Sequence, residues 1–245
     1  ILDIPPDTSL SKFQMIQIDA VRRNCMYVDS VALSRFLERL QYPLRFLDFE
    51  AVMYAVPRYT DTRPWQHIAF QYSLHSMERP DGPLEHRSFI AEPATDPRPP
   101  LVEALHRDLG DEGTIVVYGR TFESGVLKRL GRYFEDHQEW ARTAVGRVVD
   151  LSEPFQTFSV YHPDQVGRVS MTRVLPALTG VGYAGHEIGD GRSAAVIYQA
   201  LCRRVEDGEP VDPRTLGAVF GHLREYCALD TRSEEHTSEL QSLLI

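Results

Sequence analysis

The sequence is short of lysine, of cysteine and of long apolar runs, and each shortage narrows what the chain can be. Lys12 and Lys128 are the only lysines among 26 Lys+Arg, against 35 Asp+Glu, for a formal net charge of −9. A protein that coats nucleic acid passively needs a broad basic face, which this balance does not offer. A site that works through carboxylate-bound cations is not excluded. Arginine in place of lysine suits bidentate phosphate contacts and is equally the mark of codon bias. The three cysteines, Cys25, Cys202 and Cys227, are odd in number and form no C-x-x-C pair. That argues against a disulfide framework and against a zinc site, and reads as buried reduced thiols in a cytoplasmic protein. No apolar run approaches the ~20 residues that cross a bilayer. Asp3 and Asp7 interrupt any leader-like stretch, so neither a secretory signal nor a membrane partner is expected. With 42% hydrophobic and 25% charged residues the composition is that of a folded globular chain rather than a disordered one.

The chain opens at Ile1 rather than at Met, so further domains upstream in a longer protein are expected. Residues 1–43 read as a helical lead-in or linker. Asp29 or Ser30 can cap a helix whose apolar face holds Val31, Phe36, Leu37 and Leu40, and Pro43 breaks it. At the other end, residues 232–242 are similar to the translation of a sequencing adapter, so residues 232–245 are expected to be a non-native tail without functional weight.

Between these lies one domain, 44–231. Phe46–Glu50 reads as a buried strand carrying two acids. Strands near His67–Met77 and His86–Ala91, joined by the Pro80-Asp-Gly-Pro83 turn, complete a three-strand antiparallel meander. A helix follows near Pro100–Leu109, a strand at Thr114–Tyr118, a helix at Phe122–Phe134 and a short strand at Val148–Leu151. Helices are predicted near Ser170–Leu178, Arg192–Val205 and Pro213–Leu229. A meander followed by two αβ units predicts an α/β fold: a mixed five-stranded sheet with helices on both faces.

Acids punctuate this order. Asp48 and Glu50 lie two apart on a strand and so share a face, with Leu47 and Phe49 on the other. Two adjacent carboxylates in a central strand are costly to desolvate, which a divalent cation would offset; at a strand end open to solvent the same pair is harmless. Glu123 follows the strand Ile115–Tyr118 at the start of a helix. That edge of a parallel sheet is where ligands gather, and a helix N-terminus also favours an acid on its own account. Tyr226 and Asp230, at i and i+4, share one helix face.

Taken together, D-x-E on the first strand, an acid after the fourth and Y-x-x-x-D on a C-terminal helix resemble the DEDD exonucleases of the ribonuclease-H-like superfamily, in the subgroup with Tyr in the third motif. More closely, the chain resembles the bacterial domain-of-unknown-function family 2779. The residues that carry this likeness are Tyr42–Glu50, Pro57-Arg-Tyr59, Phe70–His75, Tyr118 with Phe122-Glu123, Val174–Leu178 and Tyr226–Thr231. The DEDD resemblance implies a two-metal 3′–5′ exonuclease acting on DNA or RNA. Asp48, Glu50, Glu123 and Asp230 would hold two Mg²⁺ or Mn²⁺ ions and Tyr226 would orient the attacking water. Two positions depart from the pattern: Glu123 stands where DEDD enzymes usually have Asp, and Gly119 where the closer family tends to have Asn. They motivate the alternative of a catalytically weak or inactive nucleic-acid-binding module in a larger bacterial protein. A purely structural domain is the third option.

Other candidates carry less. Asp150, closing a strand, is either a helix cap or a support behind the acids. Arg58 and Arg63 can meet phosphate or simply be exposed. His75 and His162 can touch substrate or be satisfied structural histidines. Gly189-Asp-Gly191 reads as a turn and helix cap. The nine histidines form no H-x-x-x-H pair, and Glu50-Ala-Val lacks the Lys of a restriction-enzyme motif.

Overall fold

The computed structural model describes residues 3–5, 7–80, 82–180, 188 and 190–238. Asp81, Gly189 and residues 239–245, all named in the sequence reading, lie outside these.

The chain begins with α1 (Lys12–Arg23), closed at its start by a capping box between Ser11 and Gln14. Strand β1 (Tyr27–Val28) and helix α2 (Ser30–Leu37) follow. Asp29 is the cap, its side chain accepting from the Ala32 amide. The helix buries Leu33 and Phe36, whereas Val31, expected on the apolar face, is 60% exposed. The inward stripe thus runs through Leu33 and Phe36, and Val31, two residues before Leu33, lies about 200° round the helix from it on the solvent side.

The main sheet is α/β and mixed, five strands in the order β4-β3-β2-β5-β6. Strands β2 (Leu44–Val52), β3 (Ile68–Met77) and β4 (Leu84–Ile90) form the antiparallel meander. Helix α3 (Arg98–Leu109) leads to β5 (Thr114–Val117), which runs parallel to β2. Gly113, at φ +80°, permits this approach, since a Cβ there would collide with the Pro43 carbonyl. Helices α4 (Arg120–Tyr133) and α5 (Gln138–Gly146) cross over to β6 (Val148–Asp150), again parallel. Then come α6 (Glu153–Gln156) and β7 (Val160–Tyr161), which pairs with β1 and ties the lead-in to the domain. Helices α7 (Met171–Thr179), α8 (Gly191–Glu206) and α9 (Pro213–Ser238) complete the described chain. Among the described residues no helix is long and apolar enough to cross a membrane.

Strand alternation divides the core. Leu47, Phe49, Tyr72 and Leu74 face α3, α4 and α5 through Leu101, Leu105, Val126, Leu130 and Ala141. On the opposite face Val52, Ile68 and Phe70 meet Tyr198, Leu223 and Tyr226 of α8 and α9, with Phe70 stacked on Tyr198 at 3.9 Å between ring centroids. A register shift after Glu50 leaves Phe70 as an extra residue in β3. The bulge puts Phe70 and Gln71 on the same side, so β3 changes faces beside the paired acids.

Candidate functional site

Strands β2, β5 and β6 run parallel, so their carboxyl ends share one edge of the sheet, the edge where open α/β sheets bind ligands. The parallel pairing of β2 with β5 ends at Phe46 and Val116. Beyond it β2 continues with no β5 partner, and Asp48 and Glu50 project from that overhang. Phe46, Asp48 and Glu50 share one face, opposite His75, Ser73 and Gln71 of β3 in direct register.

Helix α9 lies across this face and is held by the polar side chains of β3. Gln71 Nε2 donates to the Leu223 carbonyl at 2.8 Å. Thr231 Oγ1 lies 2.8 Å from Ser73 Oγ and 2.7 Å from His75 Nδ1. Ser73 Oγ lies 2.9 Å from His86 Nε2, and the His75 and His86 rings stack. His75 is thus a satisfied core histidine, its pKa pushed down to about 4 by burial, then by the charges of His86 and Arg232. His162 is a capping residue, its Nδ1 accepting from the Asp164 amide.

Seated this way, α9 brings Tyr226, Cys227 and Asp230 to Asp48 and Glu50. Ligand atoms of Asp48, Glu50 and Cys227 lie within 4.8 Å of one another. The Cys227 thiol donates to Asp48 Oδ2 at 3.4 Å. Tyr226 and Asp230 line the same cleft of about 470 Å³. The electrostatics mark a cluster of like charges. Burial, then Asp230, Glu50 and Glu123 in that order, hold Asp48 well above the usual carboxylate range; the Cys227 hydrogen bond opposes them. Burial, then Asp230 and Asp190, push Glu50 up to about 8. Burial, then the charges of Asp48, Glu50 and Asp230, raise the Cys227 thiol well above its ordinary value. That keeps it a thiol, able to donate.

Glu123 arrives from the neighbouring strand, in the first turn of α4, and is 4% exposed. Burial pushes it up to about 8, with Asp150 adding to the shift and its own amide hydrogen bond opposing it. Its Oε2 is buried and has no hydrogen-bond partner among the described residues. The turn that places Glu123 is itself clamped. Asp150 accepts from the amides of Gly119, Arg120 and Ser152 and from the Ser152 hydroxyl, at 2.6–3.0 Å. The cap of the helix that follows is therefore Ser152 and not Asp150; the Asp150 carboxylate braces the β5–α4 junction and its own turn instead. Gly119, at φ +100°, occupies a conformation that suits glycine. Its turn is held through backbone N–H rather than a side-chain amide.

Other features were not legible beforehand. Gly191, at the start of α8, lies so close to Glu50 that a Cβ would sit 3.1 Å from Oε2. Met53, Trp65 and Val196 are exposed apolar residues on the rim of the cleft. Arg58 is engaged elsewhere, ion-paired with Glu206 and stacked over Tyr54. Asp190 caps α8 through the Ser193 amide. Of the thiols, Cys202 and Cys227 are buried but Cys25 is exposed, a correction to the reading of all three as buried.

Residues 45–170, more than half of the chain, match the family described as Domain of unknown function (DUF2779). The chain belongs to this family. In this DUF2779 protein the matched segment carries Asp48, Glu50, Glu123 and Asp150, whereas Tyr226, Cys227 and Asp230 lie beyond it and reach the site only because α9 packs across β2 and β3. No curated protein and no solved structure matches the chain.

Proposed function

We propose that this DUF2779 protein is a metal-dependent phosphodiesterase of ribonuclease-H-like fold, resembling the Tyr-containing DEDD exonucleases and removing nucleotides from the 3′ end of DNA or RNA. The strand order β4-β3-β2-β5-β6, three antiparallel strands followed by two parallel ones, supports that fold. The observation that carries the function is the crowding of carboxylates around Asp48. Its charge is opposed by Asp230, Glu50 and Glu123 at once. No salt bridge relieves Asp48, Glu50 or Glu123 among the described residues, and the buried Glu123 Oε2 is unpartnered.

Such an arrangement is destabilising unless cations enter it. The donors are hard carboxylate oxygens, which fit Mg²⁺ or Mn²⁺; Asp48, Glu50, Glu123 and Asp230 would hold them. When bound, such ions supply positive charge for a phosphodiester and its leaving oxygen. The remaining roles belong to the chain. Cys227 fixes one oxygen of Asp48, Asp150 fixes the turn that delivers Glu123, and the Tyr226 hydroxyl is the candidate to orient water by hydrogen bond. Met53, Trp65 and Val196 give the cleft an exposed apolar rim.

The test is cleavage of end-labelled single-stranded DNA and RNA by purified protein with Mn²⁺, beside Asp48→Asn. Metal-dependent release of mononucleotides by the wild type alone is expected. Identical traces for both proteins would overturn the proposal. Oligonucleotide binding without metal-dependent cleavage would favour the binding-module alternative.

A further inference from the structure

Next to the acidic cleft lies a second one, lined by His67, Gly119, Thr121, Phe122 and Arg129, with the already saturated Asp150 at its edge. The two clefts share His67 and Phe122, whose rings meet edge to face at 5.3 Å. Arg129 extends back along α4, and Nη1 lies 3.2 Å from where a Cβ of Gly125 would project. The glycine one turn earlier is what leaves room for the guanidinium.

The charges around Arg129 are unbalanced. The group is half-buried, and it makes no hydrogen bond or ion pair with the described residues. Its charged neighbours are Arg132 and Arg63, beside Tyr133, and it depresses the titration of His67 in turn. Burial and those two arginines lower its own pKa. A desolvated guanidinium among cations is unfavourable and awaits an anion. A planar fork of donors fits a phosphate oxygen pair.

We infer that Arg129 is a phosphate subsite that holds the single-stranded nucleic-acid chain one or more nucleotides away from the bond cut in the acidic cleft. This rests on the phosphodiesterase reading for its direction, because the shared His67–Phe122 wall makes the two clefts neighbours along one path. A phosphodiester chain carries a phosphate at every nucleotide, so one can sit at the carboxylates that recruit cations while another meets Arg129.

The probe is a fluorescein-labelled ten-nucleotide single strand, as DNA and as RNA, followed by anisotropy with Ca²⁺ over a range of salt. Arg129→Ala is expected to weaken binding about tenfold or more and to lower the slope of log K against log salt by about one. Arg129→Lys should recover the slope but not the full affinity, since it keeps the charge and loses the fork. Arg203→Ala, on the exposed last turn of α8, controls for general electrostatics and should stay within about twofold of wild type. If Arg129→Ala does not fold, Arg129→Gln takes its place. Wild-type affinity and slope in the Arg129 variants, equal losses in Arg203→Ala, or no binding by the wild type would each overturn the subsite. Arg129-dependent binding without Mn²⁺-dependent cleavage would leave the subsite standing and remove the phosphodiesterase reading. Cleavage with an indifferent Arg129 would do the reverse.

Discussion

The Cys227 thiol of the last helix donates to Oδ2 of Asp48 in the central strand across 3.4 Å, although 179 residues separate them in the chain. That bond, with Thr231 seated between Ser73 and His75, fixes where α9 delivers Asp230. It also leaves Asp48 the most crowded carboxylate of the site, and its removal is the first informative change.

Asp48→Asn should abolish metal-dependent cleavage while making the metal-free protein more stable. Partners behind a metal ligand already cost 10–100-fold when lost, so losing the ligand itself should cost more than about a hundredfold in rate. The amide removes the buried charge that Asp230, Glu50 and Glu123 oppose. Each kcal/mol so relieved raises Tm by roughly 2–4 °C in a domain of this size. Calorimetric melts in EDTA near pH 8, beside the nuclease assay, check both halves.

The metal-free protein should lose stability as pH rises from about 4.5 to about 8, most steeply above about 6.5, where the opposing effect of His75 has ended. Glu50 and Glu123 are raised from 4.5 to about 8 in the folded state. Between those values the unfolded chain gives up protons that the folded chain keeps, so stability falls as pH rises through that window. His75 acts at the acid end. Its folded pKa is lowered from 6.5 to about 4, so its contribution is present above 6.5 and is lost as pH falls toward 4. Adding Mg²⁺ or Mn²⁺ near pH 8 should restore stability and release protons, because the cations need the carboxylates ionised. Melts from pH 4 to 9 with and without metal, and proton release measured by pH-stat, test this.

Thr231→Val keeps the shape of the side chain but leaves His75 Nδ1 and Ser73 Oγ without the hydroxyl they share. Buried partners left unmet cost on the order of 1–3 kcal/mol. Thermal unfolding should move down accordingly, and Mn²⁺ titration should show weaker binding because Asp230 is the preceding residue.

Asp150→Ala removes the acceptor of four hydrogen bonds, two of which hold Gly119 and Arg120. Hydrogen bonds to a charged group are worth about 1.5–3 kcal/mol each but are not additive, so a net loss of roughly 2–3 kcal/mol is expected. Metal affinity should fall about 10–100-fold through the displaced Glu123 turn, with Asp150→Asn in between. Isothermal titration with Mn²⁺ beside denaturant unfolding separates the two effects.

Local chemistry was enough to locate most elements. Apolar alternation across Phe46–Glu50 and helical spacing across Leu101, Leu105 and Leu109 appear in the residues themselves, and so do acids at strand ends and helix starts. Helix α5 escaped because it buries only Trp140, Ala141 and Ala144, too little apolar signal to mark a face. Helix α1 went unread because a polar capping box, rather than an apolar stripe, begins it.

By itself the sequence determined the α/β order, the five strands and the acids at their carboxyl ends, since strand and helix periods act over a few residues. Only the tertiary structure decided that Asp48 meets Cys227, that Thr231 meets His75, that Asp150 clamps the Gly119 turn and that Arg129 makes no ion pair among the described residues. Those pairings depend on the bulge at Phe70, the register of β2 against β3 and the seating of α9, which are set by packing between residues far apart in the chain.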